Sequence, residues 1–315
     1  MDRRQVLKTL ALSGRYRRSA RGPSRRVPTL MTRRAPIILF AIIALGVLVL
    51  HVDSRAPVAA ASSASFGHGP SIVLVHGLGS TSEHWLATAR ILSRDHRVTL
   101  TDLPGHGESA MPEPFSLDQA AAALDAALRS QGSEPVVLVG HSLGGLVCAA
   151  EAIQHPERVR ALVLVESSLR SPVNAQQRSA LFQQLESNYA GFVHASYLSF
   201  GRDSAQGETL WREVAGLDPE MMKRWIRLAF TADLSREAAQ LDVPVLLVLA
   251  PRSWESGETW AEVAGALGVE RVPQLKVTRL ENCGHFVMLD HPAELARLIA
   301  RFAANPVTAE LRAAR

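Results

Sequence analysis

Between residues 71 and 303 the chain alternates short, largely apolar runs with longer segments of helical periodicity. Runs such as Ser71–Val75 and Val159–Val165 lack a regular polar alternation, which is typical of strands buried on both faces. Segments such as Leu117–Ser130 and Leu143–Gln154 place apolar residues three to four positions apart, as a helix requires. This alternation predicts an α/β fold with a mostly parallel, doubly wound sheet and right-handed crossovers.

The alternation stops over residues 170–240, which are polar and helical in pattern, carry interspersed aromatic residues and contain no convincing strand. Strands resume with Val243–Leu249 and Leu275–Leu280. An insertion at the carboxyl ends of the strands would lie over a site formed there. We therefore predict a core of residues 66–169 and 241–303, a helical cap over 170–240 and a tail over 304–315. Most cap aromatics are expected to form the cap's own small core.

Charge is distributed unevenly along the chain. The formal net charge is +4, but residues 1–34 contain eleven Lys and Arg against one Asp, which leaves 23 basic and 29 acidic residues in the remainder. A basic excess confined to a head segment argues against a nucleic-acid partner, because such a partner would need it on a folded face.

An apolar run, Pro36–Leu50, follows Arg33 and Arg34 directly. This order is typical of the basic and hydrophobic regions of an export signal. The run is short for a membrane span, which needs about 20 residues, although it could serve as an uncleaved anchor. Small residues follow, with a candidate cleavage site after about Ala61. We predict a signal peptide or membrane anchor plus linker over 35–65, and a protein that is periplasmic, secreted or tethered by its N-terminus.

The sequence contains only two cysteines, Cys148 and Cys283. Two are too few for a disulfide framework in a chain of this length, and we expect both to be packing residues. Histidines are scattered, and the sequence has neither a His-Glu-x-x-His nor a paired Cys-x-x-Cys motif. The predicted chemistry therefore requires no metal and no cofactor.

A candidate nucleophile stands where the apolar run from Val136 stops at Gly140–Gly144, Gly-His-Ser-Leu-Gly, and a small-residue helical pattern begins. Strand, sharp turn and helix would expose Ser142 at the tip of the turn. A serine needs a base to remove its proton, and an imidazole does this near neutral pH. His285 follows the last strand and is the candidate base.

Four motifs in order resemble those of the α/β-hydrolase superfamily, and the resemblance covers residues 66 to about 303. The motifs are His76–Gly79, Asp102–Ser109, Gly140–Gly144 and Gly284–Phe286. The resemblance implies that Ser142 is the nucleophile and His285 the general base. It also implies that the backbone N–H groups of Leu78 and Leu143 form the oxyanion hole, and that a cap follows the strand ending near Val165.

The third member of the triad is where this chain departs from the family's pattern. Ser253 stands where most relatives have an aspartate, and a serine cannot stabilise an imidazolium as a carboxylate does. Glu166, at the end of a strand where some relatives place a glutamate, and Glu255, two residues beyond Ser253, are the candidate replacements. A strand end positions a side chain better than a loop, so Glu166 is favoured, with Glu255 as the alternative and a Ser–His dyad as a third possibility.

These residues predict a serine hydrolase that cleaves a carboxylic ester or lactone with an apolar acyl or alcohol part through an acyl-enzyme. The expected partner is a small-molecule ester. A serine nucleophile argues against dehalogenase or epoxide-hydrolase chemistry, for which the resembling families use aspartate. An acyltransferase or perhydrolase would use the same triad. A membrane-tethered, non-catalytic binding protein is the alternative from another class.

Overall fold

A seven-stranded sheet forms the centre of the protein, for which the computed structural model describes residues 61–306. The sheet order is β1-β3-β2-β4-β5-β6-β7; β1 is antiparallel to β3, and all other neighbours are parallel. The strands are β1 (Ser63–Phe66), β2 (Ser71–Val75), β3 (Arg97–Thr101), β4 (Val136–His141), β5 (Val159–Val165), β6 (Val245–Leu249) and β7 (Leu275–Arg279). The predicted parallel, doubly wound sheet is confirmed.

The central strands are apolar because both of their faces are covered. Every residue of β4 and β6 is buried, as is every residue of β5 except Arg160. Their register also aligns their carboxyl ends, since His141 pairs with Val165 and Val165 with Val248. The residues that follow these three strands consequently emerge side by side at one edge of the sheet.

Ten α-helices cover the described part of the chain. Three of them follow the first parallel strands and three lie near the C-terminus, while four fill the segment between β5 and β6. In order they are α1 (Leu86–Leu92), α2 (Leu117–Ser130), α3 (Leu143–Gln154), α4 (Ala175–Ser187), α5 (Tyr189–Phe200), α6 (Ser204–Val214), α7 (Pro219–Thr231), α8 (Trp260–Leu267), α9 (Val287–Asp290) and α10 (Pro292–Ala304).

The four helices between β5 and β6 begin with the same device. At each start an Asn or Asp side chain accepts a hydrogen bond from a backbone N–H of the first turn, which would otherwise lack a partner. The capping residues are Asn174, Asn188, Asp203 and Asp218. Polar capping residues alternate here with short amphipathic helices. This explains why the sequence of the segment has a helical pattern and lacks the apolar strand runs of the core.

One aromatic residue of these helices, Trp225, is an exception to our expectation that most of them form a small core of their own. Trp225 is fully buried, its indole N–H donates to the carbonyl of Pro104 at 2.9 Å, and its ring lies 4.6 Å from that of Phe115. Both partners belong to the segment between β3 and α2. A buried indole N–H needs an acceptor, and the loop between β3 and α2 supplies one. Trp225 therefore anchors the layer formed by α4 to α7, the helical layer, to the sheet domain.

The N-terminal edge of the sheet also differs from the prediction. The sequence predicts a signal peptide or membrane anchor plus linker over 35–65, yet Ser63–Phe66 forms β1 and pairs with β3 from Ser63 opposite Thr101 to Phe66 opposite Val98. The Ser65 and Thr99 hydroxyls lie 2.7 Å apart. This strand is exposed on its outer edge, so it carries no apolar run that periodicity could detect.

The remaining boundaries differ in small ways. β6 begins at Val245, not Val243, because Pro244 has no N–H to donate to a ladder.

Cys148 and Cys283 are both free and buried. The predicted basic segment 1–34 and most of the predicted signal or anchor lie outside the described residues and stay predictions. Within residues 61–306 no helix is both long enough and apolar enough to cross a membrane.

Glu151 of α3 is a fully buried carboxyl group that lacks a hydrogen-bond partner for either oxygen. Burial, followed by the charge of Asp125, raises its pKa to about 8. Since the unfolded chain ionises this group near pH 4.5, rising pH favours the unfolded state between these two values. The penalty is absent in acid, grows through neutral pH and levels off above pH 8.

Glu151→Gln is therefore expected to stabilise the protein more as pH rises. At pH 5 the gain should be small, and at pH 8 it should reach about 2–4 kcal/mol, or about 5–10 °C in Tm. Thermal unfolding followed by circular dichroism at both pH values measures it. Glu157→Gln is the matched control, because this nearby carboxylate is largely exposed. An equal gain from Glu151→Gln at both pH values would contradict the assignment of the penalty to ionisation.

Candidate active site

Ser142 occupies a strained turn between β4 and α3. Its φ of 50° and ψ of −121° lie outside the regions that residues with a side chain ordinarily adopt. Two hydrogen bonds hold it there: its N–H donates to the carbonyl of Val165 at 2.9 Å, and its carbonyl accepts from the hydroxyl of Ser167 at 2.7 Å. The strand-turn-helix predicted from the sequence thus presents Ser142 at the carboxyl edge of the sheet.

The glycines around this serine are required by close backbone contacts. A Cβ on Gly144 would lie 2.1 Å from the carbonyl oxygen of His76, and one on Gly140 would lie 2.5 Å from the Cα of Gly145. No real Cβ tolerates such distances, so either substitution would force backbone apart. The Gly-x-Ser-x-Gly spacing therefore reflects how tightly α3 packs against β4 and the β2 loop.

Glu166 is the carboxylate that the structure brings to His285. It directly follows β5, its N–H donates to the carbonyl of Val248 at 2.8 Å, and its Oε2 accepts from Nδ1 of His285 at 3.1 Å. Two further donors reach it: the N–H of Ala250 to Oε1 at 2.6 Å and the hydroxyl of Ser253 to Oε2 at 2.9 Å. Three donors on one fully buried side chain favour the ionised carboxylate.

Ser253, at the position left without an aspartate, thus supports the carboxylate that reaches the histidine from the neighbouring strand. Glu255 lies further along the same loop, where its backbone N–H donates to the side chain of Glu258 at 2.8 Å. Of the two candidate acids, the hydrogen bond to His285 belongs to Glu166. Its catalytic role, like those of Ser142 and His285, remains a prediction.

His285 is fixed by contacts on both sides of its backbone. Its N–H donates to the carbonyl of Phe200 at 2.8 Å, and its carbonyl accepts from Nε2 of His141 at 2.9 Å. The preceding N–H, of Gly284, donates to Asp290 at 2.8 Å. The imidazole packs 4.7 Å from the rings of both Phe200 and His141. Because both the sheet domain and the helical layer hold His285, its imidazole has little freedom to turn away from the edge of the sheet that carries Ser142.

The electrostatics of the pair follow from burial. Burial first, and the nearby charge of Arg252 second, hold the pKa of His285 well below 6.5. Burial raises the pKa of Glu166, which the Arg252 charge and the bonds from Ala250 and Ser253 oppose. At neutral pH the imidazole is accordingly neutral, which is the form able to take a proton from Ser142.

The two backbone N–H groups predicted to bind an oxyanion are those of Leu143 and Leu78, and this role stays a prediction. Leu143 is the first residue of α3, where N–H groups have no acceptor within their own helix. Leu78 lies in the loop after β2, and its carbonyl accepts the hydroxyl of Tyr197 from α5 at 2.7 Å. The next N–H in this loop, of Gly79, donates to Nε2 of His106 at 2.9 Å. The loop that presents Leu78 is therefore held from both layers.

These residues surround a cavity of about 390 Å³ between the sheet edge and the helical layer. Leu78, Ser142, Leu143, Glu166 and His285 all line it. Apolar side chains form much of the remaining wall, among them Leu146, Leu181, Phe192, Ile226, Phe230 and Leu267. An apolar enclosure with a few convergent polar groups is typical of a small-molecule site.

Asp125, Glu151 and His155 form a separate group that could offer ligand atoms to a cation, since these atoms lie within 4.8 Å of one another. None of the three lines the cavity. Two guanidinium groups, those of Arg129 and Arg158, already contact the Asp125 carboxylate. These arginines supply the positive charge that a cation would otherwise bring.

Several supporting residues were missed by the sequence analysis. His141 is next to Ser142 in the sequence and supports His285, whereas Ser167 is next to Glu166 and supports Ser142. Each could have been found as a polar residue directly beside a predicted catalytic one. Tyr197 carries no such signal, because its contact with Leu78 joins segments 119 positions apart through the packing of α5. Arg252 likewise gave no signal before the cavity was seen.

Comparisons with known proteins agree with the fold. A family model described as "Alpha/beta hydrolase family" matches residues 72–298. The chain is similar to a pimeloyl-[acyl-carrier protein] methyl ester esterase from Aeromonas hydrophila subsp. hydrophila, at 29% identity over 256 residues, which cover 75% of this chain and 96% of the relative.

Two solved structures show the same fold at low sequence identity. One is a hydrolase from Oleispira antarctica, with a TM-score of 0.68 and 18% identity, covering 79% of this chain and 96% of that one. The other is Est816, described as an N-acyl homoserine lactone degrading enzyme, with a TM-score of 0.65 and 19% identity, covering 76% and 96% respectively.

Proposed function

Because the chain belongs to the alpha/beta hydrolase family, we propose that it is a serine esterase that cleaves a carboxylic ester or lactone through an acyl-enzyme. The observation that carries the proposal is the hydrogen bond between His285 and Glu166, beside the strained Ser142 and on the wall of one apolar cavity. Nucleophilic acyl transfer needs a histidine that is oriented by a buried carboxylate and lies beside a serine at the tip of a turn.

In the first half-reaction the Ser142 hydroxyl attacks the ester carbonyl while Nε2 of His285 accepts its proton. Glu166 keeps the proton on Nδ1 and stabilises the imidazolium that forms. The N–H groups of Leu78 and Leu143 bind the oxyanion, each contributing about 2.7–4 kcal/mol to lowering the barrier. The imidazolium then protonates the departing alkoxide, which leaves an ester on Ser142.

In the second half-reaction a water molecule loses a proton to His285 and attacks the acyl-enzyme carbonyl. The tetrahedral intermediate collapses, the Ser142 oxygen takes the proton back, and the carboxylic acid is released. No step needs a metal or an organic cofactor. An acyltransferase or perhydrolase would differ only in which acceptor replaces this water.

The apolar wall of the cavity supports an apolar acyl or alcohol part, because burying each methylene contributes about 0.8 kcal/mol. The name of the Aeromonas relative refers to the methyl ester of a pimeloyl group on an acyl-carrier protein. Est816 is named for a lactone substrate. Both names refer to an ester or a lactone that carries an acyl group, which is the class of substrate that our proposal gives this chain.

Covalent labelling tests the proposal directly. A fluorophosphonate probe is expected to modify Ser142, and peptide mass spectrometry should locate the label there. Short-chain aryl esters that the protein hydrolyses should slow the labelling when they are present during the reaction with the probe. Ser142→Ala protein, checked for folding by circular dichroism, is the control and should stay unlabelled. Failure of the natural chain to react with the probe would exclude the esterase and leave the tethered binding protein.

A further inference from the structure

Tyr197 is a buried tyrosine of α5 whose hydroxyl reaches out of the helical layer to the loop after β2. The hydroxyl donates to the carbonyl of Leu78 at 2.7 Å. Burial raises the pKa of this phenol above its ordinary value, so the hydroxyl keeps its proton and stays a donor. Tyr197 does not line the cavity that the described residues form around Ser142. Its polar contact is therefore with the loop and not with a substrate in that cavity.

The peptide group between Leu78 and Gly79 is held at both of its polar atoms. Its carbonyl accepts from Tyr197, and its N–H, that of Gly79, donates to Nε2 of His106 at 2.9 Å. Because a peptide group is planar, one bond to its oxygen and one to its N–H fix how the plane is turned. The N–H of Leu78, the predicted oxyanion donor, belongs to the preceding peptide group. Only the two dihedral angles of Leu78 separate it from the fixed plane.

Gly79 also packs closely against the helical layer. Its φ is +62°, and a Cβ at this position would lie 2.3 Å from the Tyr197 hydroxyl and 3.1 Å from side-chain atoms of Val214 and of Met222. These three residues belong to α5, α6 and α7 respectively. Val214 and Met222 contribute apolar packing, which has little directional preference. The hydroxyl of Tyr197 is the directional contact among the three.

The same helix holds the loop that carries the candidate base. The carbonyl of Phe200 accepts from the N–H of His285 at 2.8 Å, and the Phe200 ring packs 4.7 Å from the imidazole. The rings of Tyr197 and Phe200 lie 5.4 Å apart, as neighbours three positions apart on a helix can. Helix α5 thus contacts both the loop of the predicted oxyanion donor and the loop of the base.

We propose that Tyr197 is a positioning residue: its hydroxyl fixes the Leu78–Gly79 peptide group so that the N–H of Leu78 is directed at the oxyanion, and the helical layer thereby completes the oxyanion hole. The inference rests on the proposed esterase function. An oxyanion hole stabilises the transition state because its donors already point at the developing charge. Without the tyrosine bond the loop would sample orientations in which the N–H of Leu78 misses the oxyanion.

The kinetic test removes a single oxygen atom. Tyr197→Phe keeps the ring that packs on Phe200 and loses the bond to Leu78. We expect kcat for a short-chain aryl ester to fall by about 10–50-fold, less than for outright loss of an oxyanion donor. KM should stay within about twofold, because the bond acts on the transition state and Tyr197 does not line the cavity.

Tyr189→Phe is the matched control, since it removes the hydroxyl of a half-buried tyrosine at the start of the same helix. It should match the natural chain. Circular dichroism checks folding, and fluorophosphonate titration counts active sites so that kcat refers to competent protein only. An unchanged kcat in Tyr197→Phe, a loss that is all in KM, or equal losses in both tyrosine variants would overturn the proposal.

Inhibitors separate oxyanion positioning from general damage. The carbonyl of a trifluoromethyl ketone adds the Ser142 oxygen, and the ketone oxygen becomes an oxyanion, whereas the matching methyl ketone binds without forming this adduct. The preference for the trifluoromethyl ketone, measured as the ratio of the two inhibition constants, should fall in Tyr197→Phe by about the same 10–50-fold as kcat. Equal weakening of both inhibitors would assign Tyr197 a merely structural role and overturn the proposal.

Hydrogen exchange keeps this inference distinct from the esterase proposal. Exchange is followed by mass spectrometry on the peptide that contains Leu78 and Gly79, and it should be faster in Tyr197→Phe but not in Tyr189→Phe. Faster exchange in a protein that hydrolyses no ester would support the hold of Tyr197 on this loop, and only the esterase proposal would fail. Ester hydrolysis with exchange and kcat both unchanged in Tyr197→Phe would leave the esterase standing and overturn the positioning role.

Discussion

Replacing Ser142 with alanine is expected to lower kcat for a short-chain aryl ester by about 10⁵–10⁶-fold, to the level left by binding and the oxyanion hole alone. The methyl group fits the strained turn, since the two hydrogen bonds that hold it are made by backbone atoms of residue 142. The loss should therefore be in chemistry and not in folding. Steady-state assays with matched thermal unfolding curves measure both.

Ser168→Ala is the matched control, because Ser168 lines the same cavity two residues after Glu166. Its kcat should stay within about tenfold, or 1.4 kcal/mol, of the natural chain. Rapid mixing of the natural chain with an activated aryl ester, for which deacylation is the slower step, should also release a burst of one phenol per active site. Equal losses in the Ser142 and Ser168 variants would contradict the nucleophile assignment.

The sheet and the serine turn were accessible from sequence because both depend on short-range patterns. A run such as Val136–Val139 is apolar since its strand is covered on both faces. Gly140 and Gly144 are required because a Cβ at either position would lie less than 3 Å from backbone atoms. β1 escaped prediction for the converse reason. Ser63–Phe66 lies at an exposed edge, and its pairing with β3 leaves no mark in its hydropathy.

The choice between Glu166 and Glu255 could not be made with the same security, because it depends on register. His141 pairs with Val165, so the residues after β4 and β5 meet, and the loop after β6 adds the N–H of Ala250. Sequence shows that each glutamate follows a strand but not which side chain turns towards His285. The hydrogen bond from Ser253 to Glu166 was equally hard to predict, since a serine in place of the usual aspartate suggests only that a carboxylate is missing.

The cavity was the least accessible part. Its wall combines His141 of β4 and residues of the loops after β5 and β6 with residues of α4, α5 and α7, and their approach depends on how these helices pack. Buried anchors such as Trp225 set that packing across more than 100 residues. Apolar content alone could therefore predict an apolar pocket, whereas the position of Arg252 on its wall required the assembled structure.

Glu166→Gln is expected to lower kcat by about 10³–10⁴-fold, whereas Glu255→Gln should stay within about threefold of the natural chain. Glutamine preserves shape and the bond to Ala250, but its neutral group cannot stabilise the imidazolium or fix the proton on Nδ1 of His285. Steady-state kinetics on a short-chain aryl ester measure both variants. A larger loss in Glu255→Gln would move the acid to that loop, and losses under about tenfold in both would leave a Ser142–His285 dyad.

Adding Ser253→Asp to the Glu166→Gln variant tests whether a carboxylate on the neighbouring loop restores activity. The Ser253 hydroxyl already lies 2.9 Å from the Glu166 oxygen that accepts from His285, so a carboxylate introduced there arrives beside the imidazole. We expect kcat to recover at least about tenfold over Glu166→Gln alone. Ser253→Asn in the same background has the matching shape without the charge and should recover nothing. Recovery with aspartate only would show that the reaction needs a negative charge at this edge of the imidazole, which either neighbouring strand can supply.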